Sequence, residues 1–327
     1  MSLQKPIGIF YEHPTWFKPL FAELEKRKIP FIRIKAEYHQ YNPAENNQSY
    51  SLLINRMSSS AYLRGNGQGI LHTLNFLEHI ERLGIPTING SVAQRIESSK
   101  ARQLTLLAAL GLKFPRTRVI NHINQVLPAA LSLNFPLVVK ANIGGSGAGI
   151  VRFDTLVGLQ TAIDRFQLSL GLDKVALVQE YIAPKDDHIV RVETLNGKYL
   201  YALKVYTTGE SFNLCPAELC QVPAPYEADA CLTEVTRKGI QVEAYTPPPA
   251  IIADVERIAK RAGLDVGGIE YLVGKHDHNV YYYDINALSN FVANAPDIIG
   301  FDPYLNFVDY IEDRLEKTIQ TTKESLL

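Results

Sequence analysis

The most informative segment of this chain reads Leu137-Val-Val-Lys140-Ala-Asn-Ile-Gly144-Gly145-Ser146-Gly147-Ala148-Gly149-Ile-Val151. Apolar residues on both sides of a glycine-rich turn predict a strand, a flexible loop and a second strand. Because glycine lacks a Cβ, the backbone N–H groups of such a loop can approach an anion closely, and Lys140 adds a point charge suited to phosphate. The residues alone leave two interpretations open, a phosphate-binding loop and a plain glycine-rich hairpin.

The glycine-rich loop differs from two common phosphate-binding motifs. No Gly-Lys-Ser or Gly-Lys-Thr follows the glycines, which excludes a P-loop. The spacing of a dinucleotide-binding fingerprint fails at Ile150, which excludes that motif as well. A phosphate site at this loop is therefore of a different type.

Three oxygen-bearing side chains near the far end of the chain form a second pattern. Strand alternation places Asp284 and Asn286 on one face, and a neighbouring predicted strand can bring Glu270 beside them. Mg²⁺ prefers hard oxygen ligands of this kind and usually shares them with nucleotide phosphates. Ordinary surface carboxylates on a hairpin are the alternative, but Asp284 and Asn286 follow an aromatic strand and precede a loop.

Alternating strands and helices are predicted in the first hundred residues. The strands are 7–11, 31–34, 51–55 and 85–89, and the helices are 17–27 and 69–83. This alternation implies a parallel sheet, and ligands of such sheets lie at the carboxyl ends of strands. His13, Arg56 and Arg64 follow or end two of these strands and are candidate substrate contacts. Arg56 could equally form a salt bridge, and His13 could cap a helix.

The remainder of the chain predicts two further units. A compact unit beginning near Ser91 combines helices 98–110 and 155–168 with strands 136–140, 150–153 and 175–179. The last unit begins near Pro184 and contains strands 189–194, 199–205, 268–273 and 280–285, helix 251–262 and a terminal helix after Pro303. The compact unit suits a small α+β lid.

Composition and charge restrict the class of protein. Hydrophobic side chains make up 46% of the 327 residues, so the chain can bury a core. The 33 Lys and Arg against 34 Asp and Glu give a net charge of −1, which argues against general nucleic-acid binding. Three cysteines do not make a secreted disulfide framework, and no apolar run approaches the roughly 18 residues of a membrane span. We therefore expect a cytoplasmic protein that binds neither nucleic acid nor membrane.

Taken together, these segments resemble the ATP-grasp superfamily, and most closely its RimK-type carboxylate–amine ligases. The resemblance spans about 90 to 310 and begins with Ile88-Asn89-Gly90, Ser99-Lys100 and Leu110-Gly-Leu-Lys-Phe-Pro115-Arg-Thr117. Lys100 takes the place of the family's first nucleotide lysine, and Lys140 takes the place of the second. The flap over the phosphates would contain Gly144, Gly145, Ser146, Gly147 and Gly149.

The resemblance implies further roles along the chain. Leu177-Val-Gln179-Glu180-Tyr181-Ile182 matches the hinge that would hold adenine through Gln179, Glu180 and the backbone of Tyr181 and Ile182. Arg191 and Lys204 fall on basic positions of the next two strands and would assist phosphoryl transfer. Glu270, Asp284 and Asn286 fall on the three magnesium ligands.

Four positions depart from the family's pattern. The aspartate that often binds ribose is replaced by Ile189, so Asp187 or a neighbour would take that role. Val205 stands where a basic residue commonly follows the strand lysine. Of the family's Arg-x-Asn only Asn213 remains, and the first metal ligand is Glu270 rather than aspartate. These changes touch phosphate and acceptor contacts, which leaves room for a different substrate.

The resemblance implies an α/β protein with the ATP-grasp fold. Residues 1–97 would be a Rossmann-like substrate domain, 98–183 a small α+β lid, and 184–327 an α+β domain with the metal ligands. The implied reaction uses ATP and two Mg²⁺ ions to phosphorylate a carboxylate, after which the amine of an amino acid or peptide attacks the acylphosphate. An ATP-grasp kinase and a non-catalytic nucleotide-binding module are the alternatives. The sequence leaves the oligomeric state open, although many family members are dimers or tetramers.

Overall fold

Three β-sheets organise the part of the chain that the computed structural model describes, which is residues 5–145, 147–206 and 241–324. Two of the predicted nucleotide contacts, Ser146 and Asn213, lie outside these ranges. Within the described ranges, no helix combines the length and the apolar character that a membrane crossing requires.

The first sheet is parallel and has the strand order β2-β1-β3-β4. Its strands are β1 (Ile7–Tyr11), β2 (Phe31–Lys35), β3 (Leu52–Arg56) and β4 (Thr87–Ile88), with α1 (Lys18–Lys26) and α2 (Gly67–Arg82) between them. Both β1 and β3 are buried along their whole length, as the central strands of a covered parallel sheet must be. Tyr11 is paired with Arg56, so the loops after β1 and β3 leave the sheet side by side.

The second sheet is antiparallel and carries the glycine-rich loop. After α3 (Ser91–Glu97) and α4 (Lys100–Ala109), its elements are β5 (Thr117–Ile120), α5 (Val126–Leu131), β6 (Leu137–Ala141), β7 (Val151–Phe153), α6 (Leu156–Asp164) and β8 (Ala176–Glu180). The strand order is β5-β8-β6-β7, so the loop joins the two strands at one edge of the sheet.

The third sheet is antiparallel and has the order β11-β10-β9-β12-β13. Its strands are β9 (His188–Leu195), β10 (Lys198–Tyr206), β11 (Val242–Tyr245), β12 (Val266–Val273) and β13 (Val280–Asn286), and its helices are α7 (Pro249–Ala262), α8 (Ala295–Ile299) and α9 (Pro303–Glu324). Val190 and Ala202 pack with α7, whereas Ile189 and Leu203 join an apolar cluster with β1, α1 and α9. Strand alternation therefore gives this sheet two differently covered faces.

Most predicted elements are confirmed with shifts of a few residues at their ends, and β1 has the predicted bounds. The sequence analysis missed α3, β5, α5, β11 and α8, which have between four and seven residues each. Segments this short do not develop a readable hydrophobic period. The helix α4, which we predicted within the lid, packs in the cluster of α7 and the third sheet. The two boundaries between the three predicted domains stay predictions.

One buried amide connects the first sheet to the third. Asn89 follows β4, is fully buried and has a positive φ of 52°, a conformation that asparagine tolerates better than most residues. Its Nδ2 donates to the carbonyl oxygens of Val266 at 2.7 Å and Ala287 at 2.5 Å. Its Oδ1 accepts from the backbone N–H groups of Asp265 at 2.8 Å and Val266 at 3.2 Å. This side chain therefore joins the end of β4 to both ends of the hairpin that carries the predicted metal ligands.

We predict that N89A destabilises the protein by about 3 kcal/mol or more, because it leaves buried backbone donors and acceptors without partners. Chemical denaturation measures the change. The control is N124A, which removes an exposed amide. Equal stability of the two variants would show that the Asn89 network does not hold the two sheets together.

Candidate active site

A cleft of ≈ 750 Å³ lies between the second and third sheets. The predicted site residues that line it are Lys100, Lys140, Gly144, Gly145, Gly147, Gln179, Glu180, Tyr181, Ile182, Arg191, Glu270, Asp284 and Asn286. Residues separated by almost 190 positions in sequence therefore share one cleft. The structure thus brings both lysines to the same space as the three oxygen-bearing side chains.

The two lysines occupy different electrostatic environments. Lys100 Nζ lies 2.5 Å from Asp284 Oδ1. Burial acts to lower the pKa of Lys100, but the Asp284 carboxylate more than offsets it, so the net pKa is raised. For Lys140, burial and the nearby charge of Lys100 lower the pKa to about 7. An anion in the cleft would favour the charged form of Lys140.

Arg191 lines the cleft and pairs with two carboxylates, those of Glu270 and Glu193. Its Nη1 donates to Glu270 Oε1 at 3.0 Å, and its Nε donates to Glu193 Oε1 at 2.6 Å. Burial and the Asp284 charge raise the pKa of Glu270, against the opposite effect of Arg191. The arginine is therefore fixed between two strands by paired charges, with its guanidinium at the wall of the cleft.

The predicted metal ligands lie on paired strands. Glu270 is opposite Asp284 and Gly268 is opposite Asn286 across the β12–β13 ladder. Lys100 lowers the pKa of Asp284 against the effect of burial, which keeps that carboxylate ionised. Asn286 Nδ2 is buried with no hydrogen-bond partner among the described residues. Two carboxylates and the amide oxygen of Asn286 fit a Mg²⁺ site that is completed by phosphate oxygens, and the unpartnered Nδ2 is a donor suited to a phosphate oxygen.

This donor set depends on a further ligand. Within the described ranges, no group of three or more His, Cys, Asp or Glu side chains could hold a metal ion. Glu270 and Asp284 supply only two carboxylates, so these side chains fit an ion shared with a bound phosphate rather than a metal site built from protein alone.

The glycine-rich loop runs along the cleft and touches the first sheet. A Cβ on Gly145 would lie 3.1 Å from the Cβ of Ser60 and 3.3 Å from its backbone nitrogen, so a larger residue would require Ser60 to shift by a few tenths of an ångström. Gly147 and Gly149 have φ values of 67° and 72°, which most L-residues avoid. Gly149 does not line the cleft, in contrast to Gly147. The loop therefore closes one end of the cleft against the residues that follow β3.

The predicted adenine hinge forms the other end of the cleft. Gln179 Nε2 donates to Thr117 Oγ1 at 2.8 Å, and Glu180 accepts from Arg116 and Asn134. The N–H of Tyr181 donates to the carbonyl oxygen of Pro136. The adenine-binding roles of Tyr181 and Ile182 stay predictions. The sequence analysis missed the apolar wall of the cleft, which includes Val138, Ile189 and Leu272.

Lys204 and Asp187 are among the predicted residues that do not line the cleft. Lys204 is on the face of β10 that Ala202 shares, and its Nζ lies 3.7 Å from Glu243 Oε1 and over the ring of Tyr245. Leu203, one residue earlier, is paired with Arg191. Alternation along the strand therefore turns Lys204 to the face opposite that of Leu203, and its part in phosphoryl transfer stays a prediction. Asp187 likewise does not line the cleft.

The candidate substrate residues of the first sheet already have protein partners. Arg64 binds Glu12 through Nε at 2.9 Å and Nη2 at 2.6 Å. Arg56 is fully buried, donates to the carbonyl oxygen of Ser289 and does not line the cleft. His13 Nδ1 accepts from the backbone N–H groups of Thr15 and Trp16. Their contact with substrate stays a prediction.

A smaller cavity of ≈ 50 Å³ adjoins the cleft and shares Gly145, Arg191 and Asn286 with it. It is also lined by Trp16 and Phe291 and by several residues that the sequence analysis missed, namely Ser58, Ser60, Glu97, Glu193, Leu203, Leu288, Asn290 and Val292. The sequence could have indicated Glu193 as a site residue, because it lies two residues after Arg191 and therefore on the same face of the predicted strand.

The comparison with protein families identifies part of the chain. Residues 97–213 match the RimK-like ATP-grasp domain. A probable alpha-L-glutamate ligase 1 of Shewanella denitrificans is 31% identical over 202 residues, which is 61% of this chain and 60% of the relative. A probable alpha-L-glutamate ligase 2 of Shewanella frigidimarina is 26% identical over 203 residues. The matched region covers 60% of the length of that relative and 59% of another from Shewanella amazonensis.

Solved structures establish the fold. The ATP-grasp ligase PsnB with its minimal precursor superimposes with a TM-score of 0.66 at 17% identity, over 95% of this chain and 100% of that one. The D-alanine–D-alanine ligase of Bacillus anthracis with ATP gives a TM-score of 0.63 at 17% identity, over 99% and 100% of the two chains. The predicted α/β class and ATP-grasp fold are therefore confirmed.

We predict that K140A weakens ATP binding by at least about tenfold and leaves the folded protein equally or more stable. Burial disfavours the charge of Lys140 before an anion is bound, so its removal costs the fold little. Titration calorimetry with ATP and Mg²⁺ measures affinity, and thermal denaturation measures stability. The control is K113A, at an exposed lysine. Unchanged affinity in K140A would contradict the phosphate role of Lys140.

We predict that His13 makes stability pH-dependent. Burial, followed by the charge of Arg64, lowers the pKa of His13 from 6.5 to about 3. The unfolded chain therefore binds more protons in this interval, and the free energy of unfolding should decrease as pH falls below 6.5, by up to about 1.4 kcal/mol per pH unit. H13N removes this contribution. Thermal denaturation between about pH 7 and about pH 5 measures it, and identical pH slopes in the two proteins would refute the assignment.

Proposed function

We propose that this protein, which has the ATP-grasp fold and a RimK-like ATP-grasp domain, is an ATP-dependent carboxylate–amine ligase. It phosphorylates a carboxylate with ATP in the presence of Mg²⁺. It then joins the acylphosphate to an amine, releasing inorganic phosphate. The product is an amide or peptide-like bond.

One observation carries this proposal. Two buried lysines and Arg191 face Glu270 and Asp284 across a single cleft, and a glycine-rich loop covers one end of it. A triphosphate is the ligand whose charge fits the lysines, and a divalent cation is the ion whose ligands fit the carboxylates. The cleft is also long enough to have a hinge and an apolar wall at the opposite end, as a nucleotide base requires.

The chain's own residues divide the work of phosphoryl transfer. Lys100 and Lys140 bind phosphate oxygens and orient the triphosphate. Arg191, held by Glu193 and Glu270, places a planar guanidinium where charge develops on the transferred group. The glycine-rich loop, in contact with Ser60, excludes water that would hydrolyse the acylphosphate. No nucleophilic side chain is needed for this sequence of steps.

Glu270, Asp284 and Asn286 would hold Mg²⁺ together with the phosphate oxygens. When bound, the ion offsets the negative charge of the phosphates. Lys100 would then share Asp284 with the metal site, which couples the first nucleotide lysine to the metal ligands. Two ions fit the family resemblance, with the triphosphate supplying the remaining ligands.

The substrates are amino acids or short peptides in this proposal. The sequence relatives bear the name probable alpha-L-glutamate ligase, and the structural neighbours include a D-alanine–D-alanine ligase. These names support an amino-acid carboxylate and an amino-acid or peptide amine. The chain spans 60% of the first of these relatives, so its substrate is not carried over from them.

Phosphate release distinguishes the ligase from its two alternatives. The purified protein is incubated with ATP, Mg²⁺ and a panel of amino acids and dipeptides, and ADP and inorganic phosphate are measured separately. A ligase forms both in a substrate-dependent manner. A kinase forms ADP and a phosphorylated product without free phosphate, and a non-catalytic module forms neither. Either of the last two results would overturn the proposed reaction.

We predict that D284N lowers ADP formation by at least about 100-fold, because it removes a charged metal ligand and the partner of Lys100. A coupled ADP assay at saturating ATP measures the loss. The control is D309N, which alters an exposed carboxylate on α9. Turnover that survives D284N at the wild-type rate would contradict the magnesium role of Asp284.

A further inference from the structure

The steps proposed above do not use the small cavity beside the cleft as a whole, although it shares Gly145, Arg191 and Asn286 with the cleft. It adjoins the predicted phosphoryl-transfer site through Arg191 and Asn286, and it extends toward Trp16 and the residues that follow β3. At ≈ 50 Å³ it has room for a group of a few heavy atoms, not for a whole dipeptide. A reacting group next to the acylphosphate fits this place and this size.

Two acceptor atoms at this cavity have no partner among the described residues. Glu193 has a side chain that is 2% exposed, and its Oε1 accepts from Arg191 Nε while Oε2 is unpartnered. Asn290 Oδ1 is also buried and unpartnered. Both residues line the cavity. One unpartnered donor, Asn286 Nδ2, also lines the cavity. A buried acceptor without a donor is costly, so the two acceptors indicate a ligand that brings hydrogen-bond donors.

We propose that the cavity binds the primary ammonium group of the amine substrate through Glu193 Oε2 and Asn290 Oδ1. This inference rests on the proposed ligase function and identifies the part of the site that receives the amine. The ammonium nitrogen gives one proton to Glu193 Oε2, and the neutral amine then attacks the acyl carbon as the bond to phosphate breaks. An ammonium group carries three N–H donors and one positive charge, and it matches an ionised carboxylate and an amide oxygen.

The charges around Glu193 explain why the small cavity favours a cation. Arg191 uses its Nε on Glu193 Oε1 and its Nη1 on Glu270, so its charge is shared between two carboxylates. Arg56 lies nearby and donates to the carbonyl oxygen of Ser289. Glu97, the second acid of the cavity, accepts from the backbone N–H groups of Ala287 and Leu288. Glu193 Oε2 is therefore the carboxylate oxygen left to pair with an incoming cation.

The small volume adds selectivity to charge recognition. A primary ammonium group with one attached carbon fits, whereas N-alkylated amines would collide with Leu203, Phe291 or Trp16. An alcohol of the same size has one O–H donor and no charge, so it satisfies only one of the two acceptors. The cavity would therefore distinguish a primary amine from a hydroxyl nucleophile.

Trp16 provides a direct readout because it is the chain's single tryptophan and lines the cavity. Intrinsic fluorescence is titrated with methylammonium chloride, with methanol as the uncharged probe and sodium chloride as the ionic-strength control. Wild-type protein should give a saturable change in fluorescence with methylammonium chloride, but not with methanol or sodium chloride. E193Q keeps an oxygen for Arg191 but presents an amide to the cavity, so it should bind methylammonium at least about tenfold more weakly. N290A should weaken binding by a smaller factor.

The matched control is E23Q, because Glu23 Oε1 also accepts from an arginine Nε, that of Arg27, but on the surface of α1. E23Q should bind methylammonium as wild type does. Equal binding by E193Q and wild type would overturn the proposal. The absence of a saturable methylammonium signal in wild type would overturn it as well.

A second assay separates this proposal from the proposed function. Hydroxylamine is uncharged at neutral pH and traps an acylphosphate without an ammonium-binding site. With a carboxylate that is active in wild type, E193Q should raise the KM for glycine or L-alanine as acceptor by a factor at least about tenfold larger than the factor by which it lowers hydroxamate formation. An equal loss of both activities would mean that Glu193 only positions Arg191. Failure of wild type to form hydroxamate would refute the ligase and leave the fluorescence result to decide the ammonium site.

Discussion

The pairing of buried charges across the cleft is the constraint on which the site depends. Lys100 with Asp284, and Arg191 with Glu270 and Glu193, come from four different elements. Burying any one of these charges without a partner would be strongly unfavourable. Removing one member of a pair is therefore costly, because it leaves the other as an uncompensated buried charge. The positions of α4, β9, β12 and β13 are therefore restricted together, and the cleft exists only when all four are in place.

These pairs leave the site unevenly charged. Lys100 is held by Asp284, but Lys140 is opposed by burial and by Lys100. Glu193 and Asn290 likewise retain acceptor atoms without partners among the described residues. Lys140 lines the cleft, and the two unpartnered acceptors line the small cavity; Arg191 lines both. In our proposals the nucleotide anion would pair with Lys140, and the substrate cation would pair with Glu193 and Asn290. The reacting atoms would lie between these two groups.

The sequence predicted the cleft better than it predicted the substrate contacts. The residues carried by the family resemblance, including Lys100, Lys140 and Asp284, do line one cavity. Lys204 was assigned from the family resemblance, as a basic position within a strand, but the strand register turns it toward Glu243. Arg64 and His13 were assigned from the carboxyl ends of strands, and both already bind neighbours within the first sheet's loops. The position of a residue after a strand predicts where its side chain leaves the backbone, but it does not predict which neighbouring group that side chain binds.

Local chemistry in the sequence determined the strands of the sheets, the glycine-rich loop and the types of side chain available for phosphate and metal. Those features depend on periodicity, glycine content and residue type, which are properties of short segments. Only the tertiary structure decided that Glu193 and Asn290 share a cavity, and that Asn89 joins the first sheet to the β12–β13 hairpin. Such contacts depend on the relative placement of whole sheets, and the free energy that fixes this placement is distributed over the packed core rather than encoded at any one position.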